Sequence, residues 1–90
     1  MSKRFTITVY GDPGHAWGKV KRDILLKLGL EKEISRYSYQ YMDNVYLEQD
    51  SDLAKVFDRL EALDYYVIFK EKHTDKSSKI RHYDRYEYGF

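Results

Sequence analysis

The stretch Phe5-Thr6-Ile7-Thr8-Val9-Tyr10-Gly11-Asp12-Pro13-Gly14-His15-Ala16-Trp17-Gly18-Lys19-Val20 decides the fold. Its first six residues alternate apolar and polar and are rich in β-formers, the period-two signature of a strand with one buried face. Pro13 and Gly14 fit the two central positions of a type II turn, where a positive φ favours glycine. His15 to Val20 then returns as a second strand. With residues 11–14 as the loop, Tyr10 faces His15, Thr8 faces Trp17 and Thr6 faces Lys19. On the opposite side Val9 meets Ala16, Ile7 meets Gly18 and Phe5 meets Val20, so the apolar set falls together. The hairpin thus has a core face and an outer face, and Tyr10, His15, Trp17 and Lys19 stand on the outer one.

Working outward, residues 21–29 read as a short helix. Val20, Ile24, Leu25 and Leu28 recur at helical spacing, and Gly29 suits the position just past the end. Arg36 to Tyr41 alternates tyrosine with polar residues and faces Val45 to Glu48 in a second hairpin. An Asp43-Asn44 loop would set Ser38 and Gln40 beside Val45 and Leu47. A three-residue loop, Met42-Asp43-Asn44, would set Tyr39 and Tyr41 there instead. The second keeps the more apolar side chains together and is preferred, with Asn44 left-handed. Asp52 to Asp64 is the strongest helix: Leu53, Val56, Phe57, Leu60 and Leu63 form one stripe, with Ser51 or Asp50 as cap. Tyr65 to Lys72 reads as the last strand. Residues 73–79 read as a loop, and Ile80 to Phe90 lacks clean periodicity, so 74–90 is expected to be a loose C-terminal segment. The order β-β-α-β-β-α-β implies a small α+β fold, one domain over 1–90, with a mostly antiparallel sheet and both helices on one face.

Ninety residues leave room for one core only. Sixteen Lys+Arg and fifteen Asp+Glu give a formal net charge of +1, which argues against both a uniformly basic DNA-coating protein and an acidic DNA mimic. The balance is uneven along the chain: residues 1–30 carry net +4, residues 31–64 net −5 and residues 65–90 net +2. With no cysteine, a disulfide scaffold and a Cys-type zinc site are excluded, and a reducing compartment fits. No apolar run approaches the roughly 20 residues of a membrane span, and a signal-peptide pattern is lacking. Mean hydropathy is −0.76 and 34 % of residues are charged, values that would suit disorder if 17 % of residues were not aromatic, ten of them Tyr.

Gly14-His15-Ala16-Trp17, Arg36-Tyr37-Ser38-Tyr39-Gln40, Val45-Tyr46-Leu47-Glu48-Gln49-Asp50 and the stretch from His73-Thr74-Asp75-Lys76 to Arg81 together resemble small proteins encoded by phages and other mobile elements. The resemblance spans most of the chain. It implies an accessory protein in the cytoplasm of a bacterial host and carries no catalytic residue or ligand with it. By analogy, such a protein binds a host protein or complex, and inhibition of a host defence system is one form of that.

Candidate sites follow from residue chemistry. Tyr10, Asp12, His15 and Trp17 at the hairpin tip, with Lys19, could anchor a partner protein; the competing reading is that the C-terminal segment folds over them as a second minor core. Lys76, Lys79, Arg81, His82, Tyr83 and Arg85 interleave cations with rings, a pattern that suits single-stranded nucleic acid, where lysines neutralise phosphates and rings stack on bases. Intervening acids make a salt-bridged edge the plainer alternative. His73 or His82 as acid/base, with Arg81 and Tyr83, would be the kit of a small metal-independent endoribonuclease toxin. No spacing demands it, and no catalytic residue is assigned. His15, His73 and His82 lack metal-ligand spacing, and acids around Asp50 and Asp52 are explained by a helix start. No metal and no cofactor is expected. Gly11-Asp12-Pro13-Gly14 lacks the Gly-Lys-Ser/Thr ending of a phosphate-binding loop.

Overall fold

The computed structural model describes residues 3–88. In chain order, β1 (Lys3–Gly11) and β2 (Ala16–Lys21) form the first hairpin, and α1 (Arg22–Leu28) follows. β3 (Tyr39–Tyr41) and β4 (Asn44–Glu48) form the second hairpin, and α2 (Asp52–Ala62) leads into β5 (Tyr65–His73). A 3₁₀ turn over Lys79–His82 and a two-residue strand, β6 (Asp84–Arg85), complete the described chain. The six strands form one sheet in the order β5-β1-β2-β4-β3-β6. All neighbours are antiparallel except β1 and β5, which run parallel. The fold is α+β, as the pattern of elements implies, with β6 added at the sheet edge.

The period-two residues of the sheet and the helical stripes meet in one core. Ile7, Val20, Val45 and Leu47 from the strands pack with Leu25 and Leu28 of α1 and Leu53, Val56 and Leu60 of α2. Both helices therefore cover the same face. Gly18 is the point of closest approach: a Cβ there would stand 2.6 Å from Leu53 Cδ1 and 3.1 Å from Ile7 Cγ2.

The first hairpin differs from expectation in its turn. The loop is residues 12–15, not 11–14, so Tyr10 pairs with Trp17 and Thr8 with Lys19. This shift keeps every side chain on its expected face, because it moves the pairing by an even step. Nor is the turn made by a left-handed glycine, since Gly29 alone among the described glycines has positive φ. The Asp12 carboxylate shapes it instead, accepting from the backbone N–H of Gly14 and of His15, both at 2.9 Å.

The second hairpin corrects the preferred register. Tyr41 pairs with Asn44, so the loop is Met42-Asp43, with Met42 at φ 54. Ser38 and Gln40 consequently share the helix-side face with Val45 and Leu47, and Tyr39 and Tyr41 turn outward. Both polar residues are satisfied there. Ser38 Oγ donates to Asp52 at 2.5 Å and accepts from the Glu48 N–H at 2.9 Å. Gln40 Oε1 accepts from Arg22 at 2.6 Å and from the Glu87 N–H at 3.0 Å. Counting apolar side chains against one core misjudges the hairpin because the sheet has apolar partners on both sides.

That second layer is Trp17, Tyr39, Tyr46 and Ile80, flanked by Tyr10 and Tyr83. The C-terminal segment makes it. Ile80 sits on the outer face, while Tyr86, beyond the β6 edge, is buried in the main core on the helix side. The segment thus clasps the β3 edge of the sheet from both sides. Its residues 89 and 90 lie outside the described ones.

Gly18→Ala is expected to destabilise the fold by about 1–3 kcal/mol, the usual cost of overpacking. Urea unfolding of the variant against wild type measures it, and an unchanged midpoint would show that Leu53 moves aside freely.

Candidate functional site

Two sites lie on the outer face, separated by the segment that crosses it, and Asp12 fixes that segment. Besides its two turn contacts, Asp12 Oδ2 accepts from Arg81 Nε at 2.6 Å and from the Ser78 N–H at 2.9 Å, and Oδ1 accepts from Arg81 Nη2 at 2.8 Å. The Arg81 contact is bidentate, the strong form of such a pair. First the Arg81 hydrogen bond, then the backbone N–H donors outweigh burial and hold the Asp12 carboxyl well below the usual carboxylate range. The same contact pushes Arg81 up. A Cβ at Gly14 would lie 2.7 Å from Arg81 Nη2, so a larger residue here would require the end of the guanidinium to shift.

The first site is a pocket of about 510 Å³ beside this ion pair. Its floor is aromatic: Trp17 and Tyr39 meet edge to face at 6.1 Å, and His15 lies 6.1 Å from Trp17. Arg81 stands over the Trp17 ring at 5.3 Å and Arg85 over Tyr39 at 4.6 Å. Tyr37, 70 % exposed, forms part of the rim. Glu48 and Asp50 line the same pocket, so it holds charges of both signs. Glu48 faces His15 at 3.4 Å. The Trp17 indole Nε1 is buried without an acceptor among the described residues. Four separate stretches of the chain contribute here, through His15 and Trp17, Tyr37 and Tyr39, Glu48 and Asp50, and Arg81.

The second site is a groove on the other side of the 3₁₀ turn, formed by two adjoining hollows of about 340 and 280 Å³ that share Tyr10, Lys19 and Asn44. Lys79 and Tyr83 of the C-terminal segment wall it, and Tyr41 stacks on Tyr83 at 4.5 Å with the planes 11° apart. Tyr46 lies at its floor. Burial, and then the neighbouring phenols Tyr83 and Tyr10, push the Tyr46 hydroxyl from 10.0 up to about 12, so it stays neutral.

The sequence candidates are divided between the two. His15, Trp17, Arg81 and Arg85 meet in the pocket, and Tyr10, Lys19, Lys79 and Tyr83 meet in the groove. Lys76 and His82 are exposed. Trp17 is not a free anchor: it is 2 % exposed beneath the chain's own tail, as the second-core reading had it. Arg81 is likewise tied to Asp12, so substituting either disturbs the fold as well as any contact. Tyr37, Tyr39 and Glu48 of the pocket, and Lys21, Tyr41 and Tyr46 of the groove, were missed. The parity of the second hairpin could have found the tyrosines, since a two-residue loop turns Tyr39, Tyr41 and Tyr46 to one face. His15, Glu48 and Asp50 bring ligand-type atoms within 4.8 Å of one another. Their own contacts account for this: the His15–Glu48 pair, and the Asp50 N–H donated to Glu48 Oε1 at 2.8 Å.

A second buried carboxylate ties the helix side together. Burial alone would raise the Asp52 pKa. Hydrogen bonds from Ser38, Ser35 and Lys55 overcome it and hold it below the ordinary 3.8. Asp12 and Asp52 thus both titrate lower in the folded chain than in the unfolded one. Their stabilisation is complete above about pH 5 and is lost progressively as the pH falls further, because the unfolded chain takes up protons first. Thermal melts across pH 2 to 7 should show Tm falling steeply below that point. Asp12→Asn should lower Tm at pH 7 and flatten the acid limb by about one proton; an unchanged limb would mean that Asp12 does not carry the acid sensitivity.

Among the described residues, no helix is long and apolar enough to cross a membrane. Comparison with protein-family models, with curated proteins and with solved structures gives no match.

Proposed function

We propose that the chain is a non-catalytic accessory protein of a phage or related mobile element, acting in the bacterial cytoplasm by binding a host protein or complex through the pocket beside Trp17. Inhibition of a host defence system is one form this takes. The observation that carries the reading is the pocket's mixed character: an aromatic floor under Arg85, with Glu48 and Asp50 in the same lining. A polyanion would meet repulsion from the two carboxylates. A protein surface presents both charges, backbone carbonyls and apolar side chains together. Tyrosine, tryptophan and arginine are the residue types that dominate binding energy at protein interfaces.

The toxin alternative draws less support. His73 lines a separate helix-side pocket with Val9 and Phe69, His82 stands exposed at the end of the 3₁₀ turn outside both the pocket and the groove, Arg81 lines the Trp17 pocket, and Tyr83 lines the groove. With either histidine the kit is spread over separate places, where catalysis needs its groups around one reacting atom.

Tyr37→Ala combined with Arg85→Glu changes the pocket rim and leaves Trp17 and the Asp12–Arg81 pair in place. In affinity capture from bacterial lysate, wild type should retain a specific protein that this variant loses by tenfold or more, with unchanged circular dichroism and Tm. Absence of a specific partner for wild type, or equal capture by a folded variant, would overturn the reading.

A further inference from the structure

We infer that the groove between β1, β2, β4 and the 3₁₀ turn is a binding site for single-stranded nucleic acid, independent of the pocket beside Trp17. The argument begins with how charge is sorted. The outward positions of β5, β1 and β2 include Lys70 and Lys72, Arg4, and Lys19 and Lys21, and they hold no acidic residue. On β4 the single outward acid is Glu48, at the far end, in the other pocket. The near-zero total charge thus conceals a cationic sheet face. Lys19, Lys21 and Lys79 line the groove itself, and no acidic residue lines it among the described residues.

Its second character is aromatic. Tyr41 is 46 % exposed and is held flat against Tyr83, presenting a rigid phenol face at the groove's edge. Tyr10 and Tyr46 continue the surface inward, 6.4 Å apart. Lysines that meet a backbone and rings that meet unpaired bases are the two requirements of single-strand recognition on a sheet. Thr6, Thr8 and Asn44 add hydroxyl and amide groups that can reach sugar or base edges. A duplex fits the arrangement poorly, because its bases are already stacked and the rings would find no free face. An acidic protein would engage the lysines and make no use of Tyr41.

Fluorescence anisotropy with a labelled mixed-sequence 12-mer, as RNA and as DNA, tests this on the full chain. Binding is expected at about 50 mM salt. Three phosphate contacts predict a log–log salt slope of about −2 for a single strand. Lys19→Glu and Tyr41→Ala should each weaken binding about tenfold, while Tyr37→Ala with Arg85→Glu leaves it unchanged. Melting temperatures of the groove variants are compared with wild type; if Lys19→Glu fails to fold, Lys79→Glu on the exposed turn takes its place. No binding at low salt would overturn the inference. So would equal affinity for duplex with no effect of Tyr41→Ala. Displacement by polyglutamate at matched charge concentration would assign the groove to an acidic protein instead.

Discussion

The carboxylate of Asp12 joins the two ends of the chain. It closes the β1–β2 turn through two backbone N–H groups and fastens the C-terminal segment through Ser78 and Arg81, 66 and 69 residues away. One charge therefore sets both the shape of the tip and the position of the segment that covers Trp17. Its side chain is almost fully buried, so an unpaired carboxylate at this point would be costly, and removing Arg81 would be more damaging than never having had the pair. With the pair intact, Ile80 is brought onto the outer face and the chain continues around the β3 edge until Tyr86 enters the main core. A ninety-residue chain with a modest core gains a second one by this route.

Local pattern revealed the elements and left the long-range pairings hidden. Period two in Phe5–Tyr10 and the stripe Leu53, Val56, Leu60 were legible because each reports burial within a few residues. The faces of the first hairpin survived a wrong loop assignment, since the pairing shift was even. Those of the second hairpin did not. Tyr39 and Tyr41 are more apolar than Ser38 and Gln40, but Asp52, Arg22 and the backbone of residue 87 satisfy the polar pair on the helix side. No rule of alternation sees such partners, which lie up to 47 residues away. The Asp12–Arg81 pair was hidden for the same reason. Asp12 sits in a turn that its local hydrogen bonds already explain, and nothing in the sequence around Arg81 distinguishes it from the neighbouring solvated cations.

Of the functional candidates, residue type was legible and grouping was not. Rings and cations were identified in two sets by their position along the chain, the hairpin tip and the C-terminal stretch. The fold divides them differently. The segment crossing the outer face leaves two members of each set on either side of itself, giving a pocket with carboxylates and a groove without them. That difference is chemical: tyrosine with arginine and two carboxylates lines the pocket, while tyrosine with lysine lines the groove. The acidic middle of the chain explains the split. Residues 31–64 supply α2 and the β4 end, so their carboxylates reach the helix side and the rim of the pocket, and they never reach the outward positions of β1, β2 and β5.

Tyrosine is what allows one sheet face to be core and surface at once. A phenylalanine layer in these positions would need complete cover, and an exposed patch of that size invites aggregation. A phenol can bury its ring against Ile80 or Trp17 and leave its hydroxyl at the boundary with water. Tyr46 shows the extreme of this: 7 % exposed, it belongs to the second core and still lines the groove. Tyr10, Tyr39, Tyr41, Tyr46 and Tyr83 thus suit a thin domain that buries side chains against both faces of its sheet. Rings fixed in advance by neighbouring rings have little freedom left to lose, so the packing that stabilises the outer layer also lowers the entropic cost of anything that would stack on it.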